Sequence, residues 1–196
     1  MKNHSRILLG ILFLAILSSC TEYVPKPRGY VRIEPEAPDY QLLSDKNLPF
    51  QFHISQWVTI ESPGVQEGDW IHLAYPSLGA KVYCTYLSIT PESFEEIEQE
   101  NRSLVARHAR LEPIREKEYT NAEYKVYGSL FLLGGDSPSP IQFMLTDSVS
   151  RFFRGSLFFD AKPNADSLAP AIHYIQEDII ELIQSFHWSD SYASIP

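Results

Sequence analysis

Cysteine is nearly absent from this chain: two residues in 196, at positions 20 and 84, and no CxxC pair. A disulfide scaffold and a cysteine-ligated zinc site are thereby excluded. Positive charge is also scarce, with 16 Lys and Arg against 25 Asp and Glu and a net charge of −9. Nucleic acid demands a basic footprint that such a chain does not supply. Long hydrophobic runs are missing too: the longest, residues 7–17, has eleven residues, whereas a bilayer-crossing helix needs about 20. No HExxH, GxSxG, GxxxxGK[ST] or strand-borne GxGxxG occurs, so the best-defined metalloprotease, hydrolase and nucleotide-binding signatures are absent. What remains is 44% hydrophobic, 21% charged and 13% aromatic, the composition of a globular protein, at a length suited to one domain with a tail.

The eleven-residue run makes sense as the apolar part of an export signal. Lys2 and Arg6 precede it, and Leu17-Ser18-Ser19-Cys20 follows. An apolar residue and two small ones before a cysteine read as a lipobox, which predicts a signal peptide over 1–19 and a lipid on Cys20. Loss of Lys2 and Arg6 would leave 14 basic against 25 acidic side chains. Acyl chains rather than charge would then hold so anionic a body at a membrane. Cys84 lies in the alternating run KVYCTYLSI and reads as a buried structural thiol.

Residues 20–49 read as a tether or arm. They hold Pro25, Pro27, Pro35, Pro38 and Pro49 and no sustained apolar period, and proline favours extended backbone without donors. The segment YVPKPRGYVRI, residues 23–33, is more than a spacer. It gathers Tyr23, Lys26, Arg28, Tyr30 and Arg32 next to the anchor of an acidic protein. A stiff strip of tyrosine and basic side chains is a candidate partner-binding segment, because preorganisation lowers the ordering cost of docking. Contact with lipid headgroups is the plainer alternative.

Residues 50–188 read as a single α+β domain, with 189–196 as a tail. Alternation and β-branched or aromatic residues predict strands near 50–60, 70–75, 81–89, 116–119, 125–133, 141–145 and 151–159. VYGSLFLLG, apolar on both faces, is expected as a central strand. A helix is predicted over 91–108, with Thr90 as N-cap and Pro91 in the first turn. A second helix is predicted where Leu168, Ile172, Ile175, Ile179, Leu182, Ile183 and Phe186 recur at spacings of three and four, capped by Asp166 or Ser167 with Pro170 in its first turn. Trp188 is expected to close the domain against the sheet. The order of elements argues for helices packed on an antiparallel sheet. Ile172, Ile175, Ile179 and Leu182 are expected to face Val126, Leu130, Phe143 and Phe158.

Candidate chemistry is sparse. His53, His72, His108, His173 and His187 are scattered singly, without HxH or HxxxH pairs, so no metal site and no cofactor is predicted. Glu95, Glu96, Glu98 and Glu100 on one helix, and Glu177, Asp178 and Glu181 on the other, read as solvated faces. No catalytic residue is proposed from the sequence.

The lipobox cysteine followed by YVPKPRGYVRI, with VYGSLFLLGGDSPSPIQFMLTDS (126–148) and FFRGSLFFDAKPNADSLAPAIHYIQEDIIELI (152–183), resembles the gliding motility lipoprotein GldD family of Bacteroidetes. The likeness runs from Cys20 to Trp188. It implies a lipid-anchored, non-catalytic subunit or assembly factor of the gliding and linked type IX secretion machinery. Its partners would be other proteins of that machinery, at the periplasmic side of the cell envelope. No catalytic residue is implied. The layout also resembles, by pattern, the Mog1/PsbP-like α/β/α sandwich, though a fold leaves function open. The competing class is a periplasmic binding module or hydrolase acting on envelope material such as peptidoglycan. A deep pocket with clustered polar side chains would favour it.

Overall fold

The computed structural model describes residues 39–45, 48–61 and 70–189. Cys20 and the arm positions Tyr23, Lys26, Arg28, Tyr30 and Arg32 lie outside the described residues. A seven-stranded antiparallel sheet forms the middle of the domain, in the order β3 (Thr59–Glu61), β4 (Trp70–Tyr75), β5 (Ala80–Ser88), β9 (Arg151–Phe159), β8 (Ile141–Thr146), β7 (Val126–Leu133), β6 (Ile114–Asn121). A second sheet of three strands has β2 (Phe50–Ser55) between β1 (Tyr40–Ser44) and the two-residue β10 (His187–Trp188). Strand β1 falls within the span read as the arm, so the folded sheet begins at Tyr40, ahead of Phe50. The two helices, α1 (Pro91–Ala109) and α2 (Ala165–Ser185), lie on opposite faces of the large sheet.

Alternation along each strand builds the two faces. On one face, Ile71, Leu73, Val82, Cys84, Leu130, Phe143, Phe153 and Leu157 meet Ile175, Ile179 and Leu182 of α2 and Phe50 and Phe52 of β2. Phe153, fully buried, is the hub of this layer, with ring centroids 4.5 Å from Phe50, 5.2 Å from Phe186 and 5.9 Å from Phe143. On the other face Phe131, Leu133, Met144 and Phe152 pack with Val105 and Ala109 of α1. Burial of Cys84 pushes its thiol pKa far above the ordinary range. It is an inert core residue.

Two glycines permit close approaches. A Cβ on Gly128 would lie 2.0 Å from the carbonyl oxygen of Met144, and one on Gly155 would lie 2.3 Å from the Phe143 ring. At Gly128 only backbone could yield, so the β7–β8 pairing depends on the missing side chain. Strand β6 closes the sheet as an edge, and its Arg115, Glu116, Lys117 and Glu118 guard that edge with alternating charge.

Several expectations need correction. VYGSLFLLG forms β7, one strand in from the edge, while β9 is central. Both its faces are covered because α1 lies on Phe131 and Leu133 and the main core on Val126 and Leu130. Phe158 does not face α2. It pairs with Lys81 and turns to the α1 side, 5.9 Å from the His108 ring, since the core positions of β9 are 153, 155 and 157. Ile172 packs against the main core as expected, half-buried at its margin. The cap of α2 is Asn164, whose side chain accepts from the Ser167 N–H at 2.9 Å, so the helix starts earlier than expected. Pro170 is its sixth residue, past the first turn. Asp166 and Pro170 are both exposed, which leaves water to satisfy the carbonyl that proline cannot serve.

The cap of α1 is as expected. Thr90 Oγ1 accepts from the Ser93 N–H at 3.3 Å while Ser93 Oγ accepts from the Thr90 N–H at 3.0 Å. This reciprocal pair satisfies two otherwise orphaned donors and stabilises the helix start by about 1 kcal/mol.

Candidate functional site

Helix α2 carries the one acidic group of the described domain that is driven into the core. Its apolar stripe runs through 171, 175, 178, 179, 182 and 183, and position 178 is an aspartate, 6% exposed. Tyr40, the first residue of β1, donates its hydroxyl to Asp178 Oδ1 at 3.0 Å. Tyr75 approaches the same carboxyl from β4 without closing a full hydrogen bond, and Oδ2 stays buried and unsatisfied. Desolvation raises the Asp178 pKa to about 6, although the two tyrosine hydroxyls pull it down. Burial and the nearby carboxylate push both tyrosines well above their ordinary value.

One turn further on, a second polar staple joins the same elements. His53 Nδ1 on β2 lies 2.7 Å from Glu181 Oε1, and the His53 backbone N–H donates to Ser185 Oγ at 2.8 Å. Ser185 Oγ in turn donates to the Glu181 carbonyl at 2.7 Å. Asp178 and Glu181 therefore do not belong to a solvated face, and the histidines are not all solitary. The signal for Asp178 was present in the sequence, because it sits three residues after Ile175 inside the apolar stripe. Nothing in the sequence marked Tyr40 as the partner of Asp178, or His53 as the partner of Glu181 and Ser185, since those contacts span more than 120 residues.

This cluster fastens β1 and β2 to α2. Three open grooves on the described surface have volumes of about 210, 280 and 270 Å³, and none is lined by Asp178. A group doing chemistry on a substrate needs access. The first groove runs between α1 and β6–β8, where Arg102 is already spent. It donates to Glu98 Oε1 at 3.0 Å and to Glu116 at 3.0 and 3.1 Å, and stacks over Phe131 at 5.5 Å. Glu116 also accepts from Ser129 Oγ at 2.7 Å.

The second groove lies beside Trp188, whose Nε1–H donates to the Lys125 carbonyl at 3.0 Å and whose ring lies 5.8 Å from the Arg151 guanidinium. Trp188 closes the domain there, with its ring 4.8 Å from that of Phe186. Asp147 in this groove caps its own turn, accepting from the N–H groups of Val149, Ser150 and Arg151 at 2.8–2.9 Å. Burial pushes the Asp147 pKa up, but those N–H donors win and hold it below the usual carboxylate range. Arg102 and Glu98 in the first groove and Asp147 in the second are committed to the fold, while Glu118, Glu123 and Lys125 also line these grooves.

Among the described residues no three His, Cys, Asp or Glu side chains gather as a metal site. No described helix is long and apolar enough to cross a membrane.

Comparison with solved structures finds the solution structure of cyanobacterial PsbP (CyanoP) from Synechocystis sp. PCC 6803, at 10% identity and a TM-score of 0.45, covering 84% of this chain and 100% of that one. The search of curated proteins returned no match. The family model described as gliding motility lipoprotein GldD matches residues 20–188, beginning at Cys20 and ending at Trp188. On that match, which spans the whole folded region, the chain belongs to the gliding motility lipoprotein GldD family.

Proposed function

We propose that the chain is a non-catalytic subunit or assembly factor of the gliding machinery and of the type IX secretion system linked to it, held in the cell envelope by a lipid on Cys20 with its domain in the periplasm. The observation that carries this reading is the family match, which opens at Cys20, where the short apolar run and its Leu-Ser-Ser flank place the acylation site. In this reading the domain spans 50–188, prolonged by β1, and residues 23–33 dock a partner through Tyr23, Lys26, Arg28, Tyr30 and Arg32.

Two variants test it in a strain lacking the native gene. Cys20→Ala should lose labelling by a fatty-acid analogue and leave the membrane fraction; continued labelling would sink the lipid assignment. Changing Lys26, Arg28 and Tyr30 together to Ala should leave a lipidated protein of wild-type melting temperature. Colony spreading and release of secreted cargo should nonetheless fall. If Arg28 recognises a carboxylate through its planar fork, Arg28→Lys alone should also impair spreading. Full complementation by the triple variant would return the arm to the status of a spacer.

A further inference from the structure

Helix α1 covers only part of its face of the large sheet. It packs over β7, β8 and the start of β9, and among the described residues no helix lies on the β3–β4–β5 half of that face. The cross-strand register brings a specific set of side chains together there. Trp70 stands opposite Thr85, which stands opposite Arg154. In the next row Glu61 faces His72, His72 faces Tyr83, and Tyr83 faces Ser156. Tyr83, in the middle of β5, is 42% exposed, and Trp70, the first residue of β4, is 44% exposed.

Two features of this patch point to what covers it. The first is charge. Lys81 is neutralised by Glu61 at 2.8 Å, but the guanidinium of Arg154, half-buried between Thr85 and Met144, has no ion pair or hydrogen bond among the described residues. A partly desolvated guanidinium in a protein of net charge −9 is an unused fork, complementary to a carboxylate that another molecule would bring. The second is relief. The His72 and Tyr83 rings meet at 4.5 Å and 62°, and Tyr83 meets Phe158 at 5.7 Å and 78°. Rings set on edge to one another make a corrugated surface. A sugar chain stacks best on coplanar ring faces, whereas a protein surface interdigitates with corrugation. Tryptophan, tyrosine and arginine are also the residues that dominate the energetic centres of protein interfaces.

We propose that the exposed β4–β5–β9 face is a protein-docking surface, centred on Trp70, Tyr83 and Arg154, for a partner that presents an Asp or Glu flanked by apolar side chains. The assignment rests on the reading of the chain as a machinery subunit and adds the chemistry of one partner. It is independent of the arm, which carries basic groups of its own.

The test uses the full lipoprotein in cells lacking the native copy. A photocrosslinking residue placed at position 83 should yield one protein adduct, and its crosslinked peptide should contain an Asp or Glu. Titration of the purified chain against that partner should then show Arg154→Glu weakening binding by about 30-fold or more, the scale of a hot-spot loss. Replacing the partner's acidic residue by Arg should restore binding to the Arg154→Glu chain. Should Arg154→Glu lower the melting temperature, Arg154→Gln, which keeps the length and removes the charge, serves instead.

An adduct with a second copy of this chain, or with cell-wall glycan, would overturn the proposal. So would the absence of an adduct, or unchanged affinity of either Arg154 variant. A chain that remains lipidated and required for spreading while its Arg154 variants bind normally would refute this inference alone. Loss of the requirement itself would instead refute the functional reading.

Discussion

Phe153→Ala should destabilise the protein by about 3–5 kcal/mol, the range for emptying a large aromatic site in a well-packed core. The ring has no exposed surface, and it touches the layers that must stay together: Phe50 and Phe52 of the small sheet, Phe143 of the neighbouring strand, and Phe186 at the end of α2. Collapse cannot refill the hole, because the neighbours are themselves rings held by other rings, such as the stacked Phe50–Phe52 pair at 5.7 Å. Domain stabilities are about 5–15 kcal/mol, so the loss takes a large share of the total and should lower the protein's abundance in cells. Val149→Ala, at a side chain 56% exposed, should stay within about 0.5 kcal/mol of wild type. Urea unfolding followed by far-ultraviolet circular dichroism measures both. Equal midpoints for the two variants would show that the phenylalanine cluster is not the energetic centre of the fold.

The parts of this architecture that were legible in the sequence are those specified locally. Alternation placed strands at 70–75 and 151–159, and the structure has them at those bounds. Thr90, Pro91 and the acidic residues after them announced α1, and its capping box forms. What escaped is set by contacts between distant segments. Strand β1 has two half-buried and three exposed residues in a proline-flanked stretch, so no period betrayed it. It exists because β2 offers five partners in register, from Tyr40 opposite Ser55 to Ser44 opposite Gln51. Phe158 was assigned to the wrong face because aromatic residues occupy both parities of FFRGSLFF, and pattern alone cannot choose between them. Sheet order, which makes β9 central and leaves the Arg154 face half bare, is likewise a property of pairing.

The candidate cluster divides in the same way. Asp178 was readable in principle from its place in the α2 stripe, but charge next to Glu177 and Glu181 suggested solvent. Its meaning comes from Tyr40 and Tyr75, which the fold delivers from strands more than 100 residues away in sequence. Two natural explanations for a buried carboxyl are structural specificity and a titrating role. Both make the same prediction about pH.

That prediction concerns how stability changes with acidity. Asp178 has a pKa of about 6 in the folded chain because burial disfavours its charge, against an ordinary value of 3.8. Between those values the folded state holds a proton that the unfolded state has released, so unfolding sheds protons and stability falls as pH rises. The loss should build up from about pH 4, approach completion near pH 6 to 7, and reach about 3 kcal/mol at most. Asp178→Asn removes the titration while keeping an oxygen to accept from Tyr40. At pH 4 the variant should therefore match wild type or fall below it, and at pH 7 it should be the more stable by about 1–3 kcal/mol. Tyr40→Phe should act in the opposite direction. With its one close donor gone, the ionised Asp178 becomes harder to bury, and the deficit should grow above pH 6. Denaturation midpoints taken every half pH unit for the three proteins isolate the group, since the other carboxylates cancel in the differences. A wild-type minus Asp178→Asn difference that is flat from pH 4 to 7 would mean that the carboxyl is solvated and that β1 is not fastened to α2 through it. A difference falling through that window, with the Tyr40→Phe trend opposed, identifies the pair as a latch that holds β1 to α2.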